Sequence, residues 1–174
     1  MTVMNKSSLE RLCSGDKPLI RNAVDLGVQI QQNGIDITIK QIQRFVSAGV
    51  IDFDNSKREL AGLENIEPDG SMKHGVMYFL PEGSYLITFN EIVNIEMNHM
   101  ARACPRSSLM RCGATMNTAV WDAGYEGQSQ ALLTIHNPYG LWLHKDARIA
   151  QLVVEELNSA VNEGYQGIYQ KEGL

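Results

Sequence analysis

From about residue 75 onward, apolar positions fall in short runs broken by turn formers. "VMYFL" stops at Pro81-Glu82-Gly83, and "YLITF" follows. Then come "IVNIEM", "ALLTI", a turn at Asn137-Pro138-Tyr139-Gly140, "LWL" and "IAQLVVEEL". Proline presets φ and glycine accepts positive φ, so these breaks read as reversals of an extended chain. Upstream, "QQNGIDITI" (31–39) alternates Ile35, Ile37 and Ile39. A period of two with β-branched side chains predicts a strand. "IAQLVVEEL" also fits a helix, but its Val153-Val154 pair and its neighbours favour a strand. Short strands at close spacing predict an all-β sandwich or barrel rather than alternating βαβ units. Helical signal is confined to the start, where Ser7-x-x-Glu10 reads as a capping box and Gly15 as the close of a short helix.

The pattern predicts one domain over residues 1–174, with three special segments: an N-terminal helical stretch (1–28), a polar, turn-rich surface insertion (52–73) and a glycine-punctuated mobile tail (162–174). A hydrophobic fraction of 44% and a charged fraction of 20% suit a soluble globular protein. The net charge of -5, from 15 Lys and Arg against 20 Asp and Glu, argues against a binder of long nucleic acid, which needs a basic face. It leaves open a small anionic ligand in a locally basic pocket. Cys13, Cys104 and Cys112 form no C-x-x-C pair and read as reduced, mostly buried thiols of a cytoplasmic protein. Cys104 and Cys112 with His99 match no standard zinc spacing. No apolar run approaches a membrane span, and the first residues lack the apolar core of a signal peptide.

Four stretches carry candidate chemistry. "NGID" ends in Asp36. "PRSSLMR" holds Arg106, Ser107, Ser108 and Arg111. "AVWDAGYEG" holds Asp122 and Tyr125, and "ARIAQLVV" holds Arg148 and Gln151. An arginine followed by two serines offers a guanidinium fork, hydroxyls and backbone N–H groups, a good grip on phosphate. The same triplet also occurs in plain turns. Asp122 reads either as a hairpin-corner carboxylate capping backbone amides or as a catalytic base. Gln151 reads either as a satisfied core amide or as a ligand group. Trp121 and Trp142 suit the core or a subunit interface, and His74, His99, His136 and His144 are too scattered to form a ligand set.

In this order and spacing the four stretches resemble the trimeric dUTPase and dCTP deaminase superfamily, over about residues 30–155 and most strongly over 105–154. The resemblance implies a distorted jelly-roll-like all-β barrel that assembles as a homotrimer. It places active sites between subunits, with dUTP as substrate and Mg²⁺ as cofactor. Asp122 takes the role of the base that orients and deprotonates a water for attack on the α-phosphate. Tyr125 takes that of the ring under the deoxyribose, leaving no room for a 2′-hydroxyl. The backbone of Thr118, Ala119 and Val120 reads the uracil edge. Arg106, Ser107 and Ser108 hold phosphates, Gln151 lies near the phosphates and the water, and Arg148 and Asp36 brace the site. Mg²⁺ is held by phosphates and waters, with Asp36 as a further acceptor from the sugar or from a metal-bound water.

Two branches share this scaffold. Deamination of cytosine needs a proton-shuttling carboxylate. In the deaminases it is a glutamate three residues before the asparagine that follows "DxGYxG", whereas the arginine after their serines corresponds to Arg111. Here the position three before Asn137 is Thr134, and residues 128–137 contain no carboxylate. The sequence therefore favours dUTP hydrolysis and most resembles the archaeal-type dUTPases. A dCTP deaminase or bifunctional deaminase is the alternative, and a non-catalytic nucleotide sensor on the same fold is a second. The tail "GYQGIYQKEGL" departs from the glycine-rich lid of ordinary trimeric dUTPases. Its Tyr165, Tyr169, Gln170 and Lys171 are candidates for a lid over the base or the γ-phosphate.

Overall fold

The computed structural model describes residues 2–70, 73 and 75–174. In chain order its elements are β1 (Thr2–Val3), α1 (Lys6–Leu12), β2 (Ile20–Arg21), α2 (Leu26–Gln29) and β3 (Ile30–Gln31). Then come β4 (Gly34–Phe45), β5 (Leu63–Ile66), β6 (Met77–Leu80), β7 (Gly83–Asn94) and β8 (His99–Pro105). The rest are α3 (Ser107–Arg111), β9 (Ala114–Asn117), β10 (Glu126–Ile135), β11 (Leu141–His144) and β12 (Arg148–Glu156). The main sheet runs β1-β12-β4-β7-β10-β9, with β2 added to β7, β3 and β5 to β4, and β8 to β12. The β6 and β11 strands form a separate pair. The sheet curls into an antiparallel half-barrel, as the strand spacing predicts.

The core follows from side-chain alternation. On β4, Ile35, Ile37, Ile39 and Ile42 are fully buried. On β7, Tyr85, Ile87, Phe89, Glu91 and Val93 point inward in strict alternation. "YLITF" and "IVNIEM" read as two runs in the sequence, but they are one strand. The polar pair Asn90-Glu91 does not break it, because both side chains are bonded. Glu91 accepts from the Thr38 amide (2.9 Å), the Thr38 hydroxyl (2.7 Å) and Gln29 Nε2 (2.7 Å). Asn90 donates to Thr38 Oγ1, the Ile39 carbonyl and Asp146. Burial pushes the Glu91 carboxyl above its ordinary range, opposed by the bonds from Thr38 and Gln29.

Several local expectations change. The cap of α1 is Asn5, whose side chain accepts from the Ser8 amide, so the Ser7-Glu10 box does not form. The C-cap is Cys13, and Gly15 lies two residues beyond it. Within "PRSSLMR" residues Ser107–Arg111 wind into α3, to which the sequence pattern assigns no element. Residues 52–66 of the expected 52–73 insertion belong to an arm that leaves β4 at Phe45, is pinned by reciprocal bonds between Val50 and Glu59, and returns to β4 as β5. Its tip exposes Ile51 and Phe53. Ser71 and Met72 of the expected insertion lie outside the described residues, as does His74. Cys104 and Cys112 are exposed, contrary to the expectation of burial. Cys13 is half-buried, and burial pushes its thiol up to about 11. Among the described residues no helix is long and apolar enough to cross a membrane.

Candidate active site

The predicted residues gather into two groups. The first is built on β12, which lies between β4 and β8. Its register places Gln151 opposite Asp36 on one side and Cys104 on the other. Asp36 is 2% exposed. A carboxylate buried that deeply must be paired, and this one is. Its Oδ2 lies 3.2 Å from Arg148 Nη1 and 3.4 Å from Arg106 Nε, while Gln151 Nε2 donates to Oδ1 at 3.5 Å. Arg106 also donates to the Arg148 carbonyl, and Arg148 to the Val28 carbonyl, each at 3.2 Å. Asp36 thus braces Arg106, Arg148 and Gln151. The two guanidinium groups stay about a third exposed, and their outer N–H groups can meet an anion. Beside them α3 is anchored by buried Leu109. Ser107 and Ser108 are exposed in its first turn, where N–H groups lack intrahelical acceptors, and Arg111 is exposed at its end.

The second group surrounds the turn between β9 and β10. The ladder joining these strands ends at the Asn117–Leu132 pair. Thr118, Ala119 and Val120 then leave β10, and Trp121 rejoins the sheet through two 2.9 Å bonds with Ala101. The Trp121 indole is buried and donates to Ser129 Oγ at 2.5 Å, and Ser129 donates to the Tyr125 hydroxyl at 3.1 Å. This chain of bonds fixes the Tyr125 ring. Gly127 makes room for it, since a Cβ there would lie 2.7 Å from the Tyr125 hydroxyl. Burial raises the Tyr125 phenol above its ordinary range, opposed by the bond from Ser129. Asp122 differs from these neighbours. Its carbonyl accepts from the Tyr125 amide, but its carboxylate is exposed and makes no hydrogen bond among the described residues. The amide-capping reading of Asp122 therefore fails.

The tail lies against this hairpin. The Tyr165 amide donates to the Ala123 carbonyl, the Lys171 amide to that of Glu126, and the Gln128 amide to that of Glu172. Gln170 bridges the turn, accepting from the Glu126 amide and donating to the Gly124 carbonyl at 2.8 Å each. Its amide is therefore spent on the hairpin rather than available to a ligand. Tyr165 meets Tyr125 edge-on at 5.6 Å, and Arg58 of the arm sits 5.9 Å over Tyr169.

Arm, sheet, hairpin and tail enclose a cavity of about 480 Å³. The arm contributes Phe45, Leu60, Ala61 and Leu63, and β7 contributes Leu86. The hairpin side contributes Ala119, Val120, Trp121, Asp122, Tyr125, Ser129 and Gln130, and the tail contributes Tyr165, Tyr169 and Glu172. An apolar chamber of this size with a few polar groups suits a nucleoside-sized ligand. Burial pushes the Glu172 carboxyl up from its ordinary value.

Gly124 sets the seam between hairpin and tail. Its φ is +80°, and a Cβ there would lie 2.7 Å from the Gly164 Cα. Gly124→Ala is expected to cost about 1–2 kcal/mol and to lift the tail. The check is a lower Tm together with faster proteolysis after residue 160.

Sequence reasoning missed the arm, Gln130, Ser129 and Glu172 as cavity wall, and the Gln29-Thr38-Glu91 network behind Asp36. A polar segment gave no sign that apolar residues at its base, Phe45, Leu60 and Leu63, line a cavity with a hairpin some 60 residues away. The adjacent Asn90-Glu91 pair in an apolar run was a usable signal of a buried network. Among the described residues no group of three or more metal-ligating side chains occurs, and no hydrogen bond or ion pair joins the Asp36 group to Asp122.

Comparison with known proteins bears on both groups. A model of the dCTP deaminase-like family matches residues 4–157. A Methanosarcina mazei protein named probable deoxyuridine 5'-triphosphate nucleotidohydrolase is 49% identical over 172 residues, covering 99% of this chain and 98% of that protein. The Methanocaldococcus jannaschii deoxyuridine 5'-triphosphate nucleotidohydrolase is 41% identical over 145 residues, covering 82% of this chain and 87% of its own length. Among solved structures, a 2'-deoxycytidine 5'-triphosphate deaminase from Agrobacterium tumefaciens superposes with a TM-score of 0.65 at 19% identity. It aligns with 87% of this chain, which spans only 48% of the deaminase chain, and it shows the shared fold.

Proposed function

The chain belongs to the dCTP deaminase-like family, and we propose that within it the protein hydrolyses dUTP to dUMP and pyrophosphate in the cytoplasm. The observation that carries this reading is the open Asp122 carboxylate at a nucleoside-sized cavity, in a chain whose residues 128–137 hold no carboxylate where the deaminases carry theirs. Thr134 stands there instead, with its hydroxyl 3.4 Å from that of Ser84. A threonine does not shuttle protons at neutral pH. The full-length archaeal relatives named for dUTP hydrolysis point the same way.

In this mechanism Asp122 accepts a proton from a water as its oxygen attacks the α-phosphorus. The bond to the bridging oxygen breaks, and pyrophosphate leaves with the electron pair. The Tyr125 ring, locked through Ser129 and Trp121, is the face against which a deoxyribose packs and a 2′-hydroxyl is refused. Thr118, Ala119 and Val120 offer backbone groups to the base edge, since the ladder has ended before them. Arg106, Arg148, Ser107, Ser108 and Arg111 supply donors for the phosphates, with Gln151 beside them. Tyr165 and Tyr169 cover the nucleoside. The donor set fits Mg²⁺ held by the phosphates and waters, because the one carboxylate of the arginine group is already committed. When bound, the ion neutralises charge on the triphosphate.

The separation of the two groups supports sites assembled between copies of a homotrimer, with the phosphate donors of one subunit facing the Asp122 cavity of the next. Arg106→Ala and Asp122→Asn proteins are each expected to release almost no pyrophosphate from dUTP with Mg²⁺. Co-refolded in equal amounts, they are expected to recover about a quarter of wild-type activity, because about one interface in four then receives both intact halves. A mixture as inactive as its parents would contradict shared sites.

A further inference from the structure

We propose that Arg58 is a positioning residue that fastens the arm to the tail and so holds the Tyr169 ring over the bound nucleoside. This rests on the cavity being the nucleoside pocket proposed above, and adds to it a residue of the arm that governs affinity.

Two walls of the cavity form one bonded body, and two stand apart. The sheet and hairpin walls are joined by the ladder between β7 and β10. The arm has its own fastenings: its ladder with β4, the bond from the Val46 amide to the Gly62 carbonyl, and the reciprocal pair between Val50 and Glu59. The tail is tied to the hairpin through the amides of Tyr165, Lys171 and Gln128. Among the described residues no hydrogen bond or ion pair joins the arm to the tail. Yet both line the cavity, the arm with Leu60 and Leu63 and the tail with Tyr165 and Tyr169. The charged contact between them is Arg58, whose guanidinium carbon lies 5.9 Å from the centre of the Tyr169 ring.

The arm aims this side chain. Asn55 takes a left-handed φ of +66°, which asparagine tolerates better than most residues. Its Oδ1 accepts from Arg58 Nη1 at 3.2 Å. The acids of the same turn are committed elsewhere. Asp52 accepts from the Lys57 amide (2.7 Å) and the Ser56 hydroxyl (3.3 Å), and Asp54 accepts from the Ser56 amide (3.0 Å). Arg58 thus has no ion pair among the described residues, and its flat face is left for the ring. It is half-buried, whereas Lys57 and Glu59 on either side are exposed. The Tyr169 hydroxyl makes no hydrogen bond among the described residues, so the ring is set by its packing on the core and by Arg58. A guanidinium stays charged at any working pH and is drawn to the negative face of an aromatic ring.

The consequence falls on affinity rather than on the chemical step. Arg58 does not itself line the cavity, and Asp122 stands on the hairpin side. A ring held in place before the ligand arrives reduces the cost of ordering it on binding. Without Arg58, each nucleoside that binds must bring arm and tail together.

The test is KM and kcat for dUTP with Mg²⁺, together with Kd for deoxyuridine, which carries no phosphate. The proteins are wild type, Arg58→Ala, Arg58→Lys, Lys57→Ala, Tyr169→Leu and the Arg58→Ala/Tyr169→Leu double variant, with Tm recorded for each. Arg58→Ala is expected to raise KM and the deoxyuridine Kd by the same factor, about two- to fivefold, with kcat little changed. Arg58→Lys keeps a cation over the ring and is expected to fall between wild type and Arg58→Ala. Lys57→Ala removes the adjacent charge of the arm and is expected to change neither constant. In the Tyr169→Leu background, Arg58→Ala is expected to add no further loss, because its partner is gone. A wild-type KM in Arg58→Ala overturns the proposal. So does an equal loss in the Tyr169→Leu background, or a raised KM with an unchanged deoxyuridine Kd, since Arg58 would then act on the triphosphate rather than through Tyr169. In each of these cases the hydrolase reading stands. If wild type does not hydrolyse dUTP, that reading falls and takes this inference with it.

Discussion

Asp122→Asn is expected to lower dUTP hydrolysis by about 10³-fold while leaving Tm and assembly unchanged. The size follows from removing a general base, which typically contributes 10²–10⁴-fold. The absence of a stability effect follows from the structure. The Asp122 carboxylate is exposed and makes no hydrogen bond within the described residues, so its exchange for an isosteric amide leaves no buried group unsatisfied. The turn itself is held by the Asp122 carbonyl and by Gly124, which the substitution does not touch. The kinetics should show kcat falling with KM little changed, as for an interaction made in the transition state. A variant equally inactive but unfolded or dissociated would instead make Asp122 a structural residue.

Asp36→Ala is expected to act in the opposite way, by weakening the fold and the phosphate grip together. Asp36 is buried between Arg106 and Arg148, and its removal leaves two like charges facing each other without their counter-ion. Breaking a buried pair of this kind costs up to 3–5 kcal/mol. Both arginines are about a third exposed, so water recovers part of that, and about 2–4 kcal/mol is expected. For a chain of this length that lowers Tm by roughly 5–15 °C. KM for dUTP should rise, because the guanidinium groups no longer hold their direction. Asp36→Asn keeps the shape and the bond from Gln151 and is expected to recover part of the Tm but little of the KM.

The contrast between the two carboxylates shows what could be read from the sequence. The strand that begins at Gly34 follows from the alternation of Ile35, Ile37 and Ile39, because a half-buried strand imposes a period of two on side-chain polarity, and those holding "ALLTI" and "IAQLVVEEL" follow from short apolar runs between turn formers. The membership of Asp36, Arg106, Arg148 and Gln151 in one cluster followed from motif order, and the registers of β4, β8 and β12 place them together. What could not be read are features fixed by distant partners. Asn90-Glu91 looked like a break between strands because its bonding partners, Thr38 and Gln29, are more than 50 residues away. The tail looked mobile because its glycines, Gly164 among them, are also what allows close approach to Gly124. Gln170 read as a ligand contact, yet the turn takes both ends of its amide. The arm read as a polar loop, and nothing local showed Phe45 and Leu63 facing Asp122 across one cavity. Gln130 carried no sequence signal, because the bulge that aims it is a property of two strands in register.

The central claim is that this chain cleaves the triphosphate of dUTP and leaves the base untouched. It is tested most directly by incubating the wild-type protein with Mg²⁺ and either dUTP or dCTP, and following pyrophosphate and ammonia in the same samples. Rapid release of pyrophosphate and dUMP from dUTP, with no ammonia from dCTP, is the expected result. Ammonia released from dCTP would show that a group other than Thr134 shuttles the proton, and would contradict the assignment to the hydrolase branch.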